Sequence, residues 1–442
     1  MAFVVRFRAA IIACGLIALM PAVTCGGARM VAERVTDRGD NELNERQDEI
    51  DRLRRLVAEI QPEVAELTGF PEGEPVAVAV MTREDLREYI IWSMEMGYPG
   101  DELYRRGRCL SMIGLLPEDY DLESGMIDLV GEQAAGLYDP YGKAFNGIVG
   151  LSPRLRAPQY QSLIASHELT HALQDRMIDI LAHAKVALSD IDYEYGLRAA
   201  LEGIATVVML AYTQKLAVDD TPDARSFMRT SFEHTSRDPA MNATARTPEY
   251  LRELLISPYA EGGAFVQAWH RANPDLALAD LMRNIPATSE QVLHPEKYME
   301  PDVPTVIDLE AVGEGLPEGW ESFYSNTLGE FDLLTLFSLY GETAAEAAEM
   351  AAGWDGLRFS AFRNRDEHLM LVGSSVWDSE LDAKEFHAGF STVLLGIGDP
   401  GSFTIVHDGR CVDFIIGSLD RNVTESLLAD MLGARRNDRQ AD

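Results

Sequence analysis

Positive charge is scarce in this chain of 442 residues: Lys and Arg number 38 against 72 Asp and Glu, a formal net charge of −34. Only five of the 38 are Lys. Nucleic-acid binding draws on Lys and Arg to neutralise phosphate, so this balance argues against nucleic acid as a partner. The surplus of carboxylates favours solubility and suits cationic substrates. Cysteine is nearly missing as well, with Cys14, Cys25, Cys109 and Cys411 the whole set. A disulfide-built scaffold is excluded, because the first two lie in an N-terminal apolar segment. Cys109 and Cys411 remain, either as one pair or as two separate buried thiols. Beyond residue 25 no run reads as long and apolar enough to span a bilayer. Internal repeats and low-complexity tracts are also missing, which argues against a solenoid or a disordered linker protein.

What is present points to a globular protein. Apolar residues make up 46% of the chain, enough for a sizeable core, and the length exceeds one ordinary domain. The start reads as an export signal over residues 1–25. Arg6 and Arg8 precede an apolar run at residues 9–19, too short to span a bilayer. Cys25-Gly26-Gly27 is a candidate lipid-attachment site, with ordinary cleavage near residues 25–28 as the alternative. Either ending places the protein outside the cytoplasm, lipid-anchored in the cell envelope or secreted.

The stretch His167-Glu168-Leu169-Thr170-His171 has the pattern H-E-x-x-H. On a helix, residues four apart stand on one face, so two imidazoles can meet one metal ion. Apolar residues at Leu163, Ile164, Leu169, Ala172 and Leu173, with no Pro or Gly among them, support that helix. Zinc suits two imidazoles, and catalytic zinc takes three protein ligands with one position left for water. Glu168 then stands where a general base is needed. No third His follows at short spacing. Glu202, in Ala199-Ala200-Leu201-Glu202-Gly203-Ile204-Ala205-Thr206, is the preferred third ligand. Its small neighbours Ala199, Gly203 and Ala205 predict close approach of this helix to the first. Glu194, two turns earlier between two Tyr, is the rival.

The run HELTHALQD at residues 167–175, followed by Ala200-Leu201-Glu202-Gly203, resembles the gluzincin class of zinc metallopeptidases. More narrowly, it is similar to uncharacterised exported bacterial proteins with an HExTHALQD helix and a later EGxAT segment. The resemblance implies zinc held by His167, His171 and Glu202, with Glu168 as general base. It also implies an edge strand before the metal helix that pairs with an extended substrate. Many gluzincins place Asp four residues after the Glu ligand, to orient a ligand His. Here that position is Thr206, and Thr206 or Asp175 is the candidate substitute.

The rest of the chain reads as α+β and mainly helical. Residues 26–300 form a zincin-like, metallopeptidase-like domain with a small edge-strand sheet. Residues 301–442 form a C-terminal α+β region with antiparallel hairpins. Helices are expected at 42–66, from Thr82 to 94, at 120–133, through the motif, around Glu202 and from Ser257. A strand is expected at 75–81 and a hairpin at 133–151. Residues 286–298 (PATSEQVLHPEKY) read as a polar loop, similar to a run in the same exported proteins. His294, Tyr298 and Tyr259 are candidates to stabilise an oxyanion. C-terminally, helices are expected at 330–340, 344–352, 381–395 and 424–432. Strands are expected at 357–363, 368–376, 403–406 and 410–416.

Together these readings describe an exported zinc-dependent peptidase acting on a peptide or protein substrate. The alternatives are a non-catalytic envelope lipoprotein keeping the fold for binding or structure, and a zinc hydrolase acting on something other than peptides.

Overall fold

The computed structural model describes residues 40–153, 155–237, 241–300, 302–310, 312, 316, 318–398, 401–417 and 421–438. The expected export signal and Cys25 lie outside them. The fold is mainly helical α+β, with two sheets.

The helix α1 (Asp40–Thr68) packs one face inward through Leu53, Val57, Ile60 and Val64, the three- and four-residue spacing of an apolar stripe. Strand β1 (Ala77–Met81) follows. The helix Arg83–Gly97 then opens with a reciprocal cap: the Asp85 N–H donates to the Thr82 hydroxyl, and the Thr82 N–H to the Asp85 carboxylate. Strands β2 (Gly136–Asp139) and β3 (Ala144–Ile148) form the expected hairpin. β1 pairs with β3 in parallel and β2 pairs with β3 in antiparallel fashion, so β2 is an edge of this sheet.

Three buried helices follow. α2 (Pro158–Met177) carries the motif and starts with Pro at its first turn. α3 (Ile191–Gln214) is capped by Asp190, whose side chain accepts the Tyr193 N–H. By length and composition α3 could cross a membrane, which corrects the expectation that no such stretch lies beyond residue 25. It is instead a core helix, buried on nearly every side. α4 (Glu249–Ala272) begins eight residues before the expected start at Ser257 and contains Pro258. A proline there removes the N–H that would bond the Leu254 carbonyl. The Arg198 guanidinium of α3 donates to that carbonyl instead, at 3.2 Å.

Of the small residues of α3, Ala199 and Gly203 make room for α4, while Ala205 lies beside His167 of α2 as expected. A Cβ at Gly203 would lie 2.3 Å from the Gly262 carbonyl oxygen, and one at Gly262 would lie 2.2 Å from that of Ala199. The two backbones touch, and only glycine fits between them. The expected loop at 286–298 contains two short helices, Ser289–Leu293 and Pro295–Met299.

The C-terminal region is built on a five-stranded antiparallel sheet in the order β4-β5-β6-β8-β7. Its strands are β4 (Glu321–Thr327), β5 (Trp354–Arg363), β6 (Leu369–Trp377), β7 (Phe403–Asp408) and β8 (Cys411–Ile416). β4 was not expected. The helix Glu380–Ile397 packs on this sheet, and the helix Glu330–Leu339 packs against it in turn, with Phe337 on Phe386. One core cluster runs from Leu53 to Ile416 and so joins the residues on both sides of 300. Cys109 and Cys411 are both buried and unpaired.

Candidate metal centre

α2 and α3 bring three ligand-type side chains to one point. His167 Nε2 lies 3.0 Å from Glu202 Oε2, and His171 Nε2 lies 3.0 Å from His167 Nε2. The third side of the triangle, His171 Nε2 to Glu202 Oε2, is 3.3 Å. Donors bound at about 2.0–2.1 Å to a tetrahedral zinc stand about 3.3–3.4 Å apart. The donor triangle is therefore slightly contracted from a zinc site, and its chemistry, two imidazoles and a carboxylate, fits that ion. Glu194 is not part of it. Its carboxylate accepts from Arg106 at 2.8 Å in a buried ion pair.

The protonation of the three is coupled. Burial opposes a charge on His171, but the Glu202 carboxylate outweighs it and pushes the imidazole pKa up to about 9. Burial likewise opposes ionisation of Glu202, and the neighbouring imidazoles overcome it and hold the carboxyl at about 2. His167 moves the other way, lowered by burial and by the neighbouring His171. The triangle thus holds a proton that a divalent cation would displace.

One hydrogen-bond chain fixes the His171 ring. Gln174 Nε2 donates to the Leu201 carbonyl at 3.0 Å, so its amide oxygen faces back toward α2. That oxygen accepts from His171 Nδ1 at 2.8 Å, which leaves Nε2 as the nitrogen facing Glu202. The outer nitrogen of His167 lies beside the Ala205 carbonyl without a well-formed hydrogen bond.

Neither expected substitute for the missing Asp orients an imidazole. The Thr206 hydroxyl is buried without a partner. Asp175 accepts from the Tyr138 hydroxyl at 2.7 Å and from Lys143 at 2.6 Å. Gln174 was missed, although it stands three residues after His171 on the same helix face, a spacing that brings side chains together.

Glu168 is fully buried beside its neighbours in the motif. Its Oε2 accepts the backbone N–H of Tyr138, on the edge strand β2, at 2.6 Å. This contact could not be read from residue types, because the donor is backbone.

The three oxyanion candidates separate. The Tyr259 ring is buried and stacks on His167, with centroids 5.8 Å apart. His294 Nε2 pairs with Glu330 at 2.9 Å. The Tyr298 hydroxyl donates to the Asn284 carbonyl. Among the described contacts, His294 and Tyr298 touch none of His167, Glu168, His171 and Glu202, so of the three only Tyr259 adjoins the centre.

A family model described as a domain of unknown function, DUF8575, matches residues 320–411, which lie outside the metal centre. No curated protein and no solved structure matches the chain.

Proposed function

We propose that this chain is a zinc-dependent peptidase of the gluzincin type. The observation that carries the reading is the triangle of His167, His171 and Glu202 donors, with sides of 3.0, 3.0 and 3.3 Å, next to Glu168 on the same helix. A zinc ion held there would supply a Lewis acid that acidifies water and polarises a carbonyl. Glu168 takes a proton as water adds to the peptide carbonyl carbon, and passes it to the nitrogen as the C–N bond breaks. The Tyr138 N–H fixes the Glu168 carboxylate against β2. Tyr259 supports the position of the His167 ring. β2 is an edge of its sheet, but its four residues are buried and its Tyr138 N–H is taken by Glu168, so an extended peptide would pair with it only once that contact opens. The substrate is a peptide or protein, and nucleic acid is not a partner. The N-terminal apolar run and Cys25 support a location in the cell envelope, lipid-anchored or secreted.

One observation favours the second reading, a non-catalytic protein that keeps the metal for structure or binding. His167, Glu168, His171 and Glu202 are all at most 2% exposed. Two measurements separate the readings. Bound zinc is compared in the native chain and in His171→Ala, where it should fall. Cleavage of an unfolded protein is compared in the native chain and in Glu168→Gln, which should keep zinc and lose hydrolysis. Full zinc content with no cleavage of any substrate in a broad panel favours the second reading.

A further inference from the structure

A cavity lies away from the candidate metal centre, where the start of α3 meets the C-terminal sheet. It holds about 290 Å³ and is lined by Asp190 and Asp192 at the head of α3, by Val306 and Ile307, and by Trp354 and Arg358 of β5. That is about twice the 150 Å³ cavity that accepts benzene in an engineered protein core.

Its walls are largely apolar, and Asp190 and Arg358 bring both signs of charge to it. Asp192 is 2% exposed, with Oδ1 accepting the Ser289 N–H at 2.8 Å and Oδ2 lacking any partner. Burial raises its pKa well above the usual carboxylate range, as expected for a buried acid with no cation beside it. Asp190 stands next to it, accepting from the Thr327 hydroxyl at 2.7 Å. The Arg358 side chain is half-buried and makes no hydrogen bond or ion pair among the described residues. A bare guanidinium is conspicuous in a chain with 72 acidic residues. At the mouth, Val306 is left 83% exposed.

We propose that this cavity binds a small zwitterion with an apolar side chain, a free amino acid or a dipeptide. The ligand's carboxylate meets Arg358, its ammonium meets Asp190, and its side chain lies against Ile307 and Trp354. Guanidinium and carboxylate match in geometry as well as in charge. The site does not depend on the peptidase reading.

The test uses calorimetric titration of the full chain carrying Glu168→Gln, so that a dipeptide probe is not consumed. The probes are Leu-Leu and L-leucine, with leucinamide and N-acetyl-leucine as versions lacking one charge. At least one zwitterion should bind with a dissociation constant below about 1 mM. Removing either ligand charge should weaken binding at least about tenfold, as should Arg358→Gln. The Arg358 side chain has no partner to lose among the described residues, so that variant should fold, and its circular dichroism should match the parent. Val306→Asp, at an exposed position, should also weaken binding by putting a third carboxylate at the mouth. The proposal is overturned if neither zwitterion binds up to about 10 mM. It is equally overturned if binding survives Arg358→Gln and is lost in His171→Ala, which would place the ligand at the metal centre.

Discussion

Gln174→Met is the sharpest probe of the metal centre, because Gln174 touches no metal and yet should control its binding. Methionine keeps the length and approximate volume of the side chain, so the packing change costs less than about 1.5 kcal/mol. Two buried hydrogen bonds are lost, at 2.8 Å to His171 Nδ1 and 3.0 Å to the Leu201 carbonyl. The His171 Nδ1–H is left bare, which costs about 1–3 kcal/mol, whereas the Leu201 carbonyl keeps its helical partner and loses only the net worth of one hydrogen bond, about 0.5–1.5 kcal/mol. The Leu201 part is paid with or without metal, so it lowers the melting temperature of the zinc-free protein. The His171 part grows when zinc binds, because the metal makes the ring a stronger donor. Losing such a supporting contact weakens zinc about 10–100-fold, or about 1.4–2.7 kcal/mol. Competition against a fluorescent zinc chelator measures this directly. Gln174→Glu keeps an acceptor for His171 and should recover most of the affinity. A dissociation constant for Gln174→Met within about twofold of the native value would refute the argument that the Gln174 bridge orients His171.

Three further outcomes are expected. Thr206→Val should leave zinc affinity unchanged and raise stability by about 1 kcal/mol, since the hydroxyl it removes is buried without a partner; chelator competition and urea denaturation read both. Gly203→Ala sets a methyl 2.3 Å from the Gly262 carbonyl oxygen. The overpacking, about 1–3 kcal/mol, outweighs the roughly 1 kcal/mol of helix propensity gained, and zinc affinity falls too because Glu202 is the adjacent residue. Equal melting temperatures and zinc affinities would count against the tight α3–α4 contact. His294 has its pKa raised by its hydrogen bond to Glu330, with burial opposing and Glu296 and Glu290 adding to the rise. The raised folded value means the pair stabilises fully below the unfolded pKa of about 6.5 and fades as pH rises through the folded value. The His294 side chain is 38% exposed, so solvent screening keeps the effect under about 1 kcal/mol. Melting curves from pH 5.5 to 8.5 should decline more steeply for the native chain than for His294→Gln.

The fold was legible in the sequence where the signal is local. The cap at Thr82, the hairpin around residues 139–142 and the apolar face of α1 each sit within a few residues and needed nothing distant. Misreadings arose where a distant group supplies the missing piece. α4 seemed to begin at Ser257 because Pro258 reads as a break, and the Arg198 bond that rescues the Leu254 carbonyl comes from another helix. The helix Ala224–Ser236 was missed although its signal is local: Ala224, Phe227, Met228, Ser231 and Phe232 recur at helical spacing, and Phe227, Met228 and Phe232 pack on the core. β4 was missed because its pairing with β5 shifts register between Ser322 and Tyr324, so its side chains do not alternate cleanly.

The site divides along the same line. His167, Glu168 and His171 were legible because their geometry is the spacing of one helix, and Glu202 because a carboxylate flanked by small residues stands out. The reason given for Glu202 held only in part, since Gly203 makes room for α4 while Ala205 lies beside His167 of α2. What orients the ligands could not be read, because the chain departs from the expected Asp at Thr206 and supplies an amide from α2 itself. Gln174 accepts from His171 and at the same time donates to the carbonyl of Leu201, one residue before Glu202. A single side chain thereby sets the tautomer of one imidazole and ties down the helix that delivers the carboxylate. An Asp at position 206 could do only the first, and this is why the strongest coupling between metal affinity and fold stability is expected at Gln174.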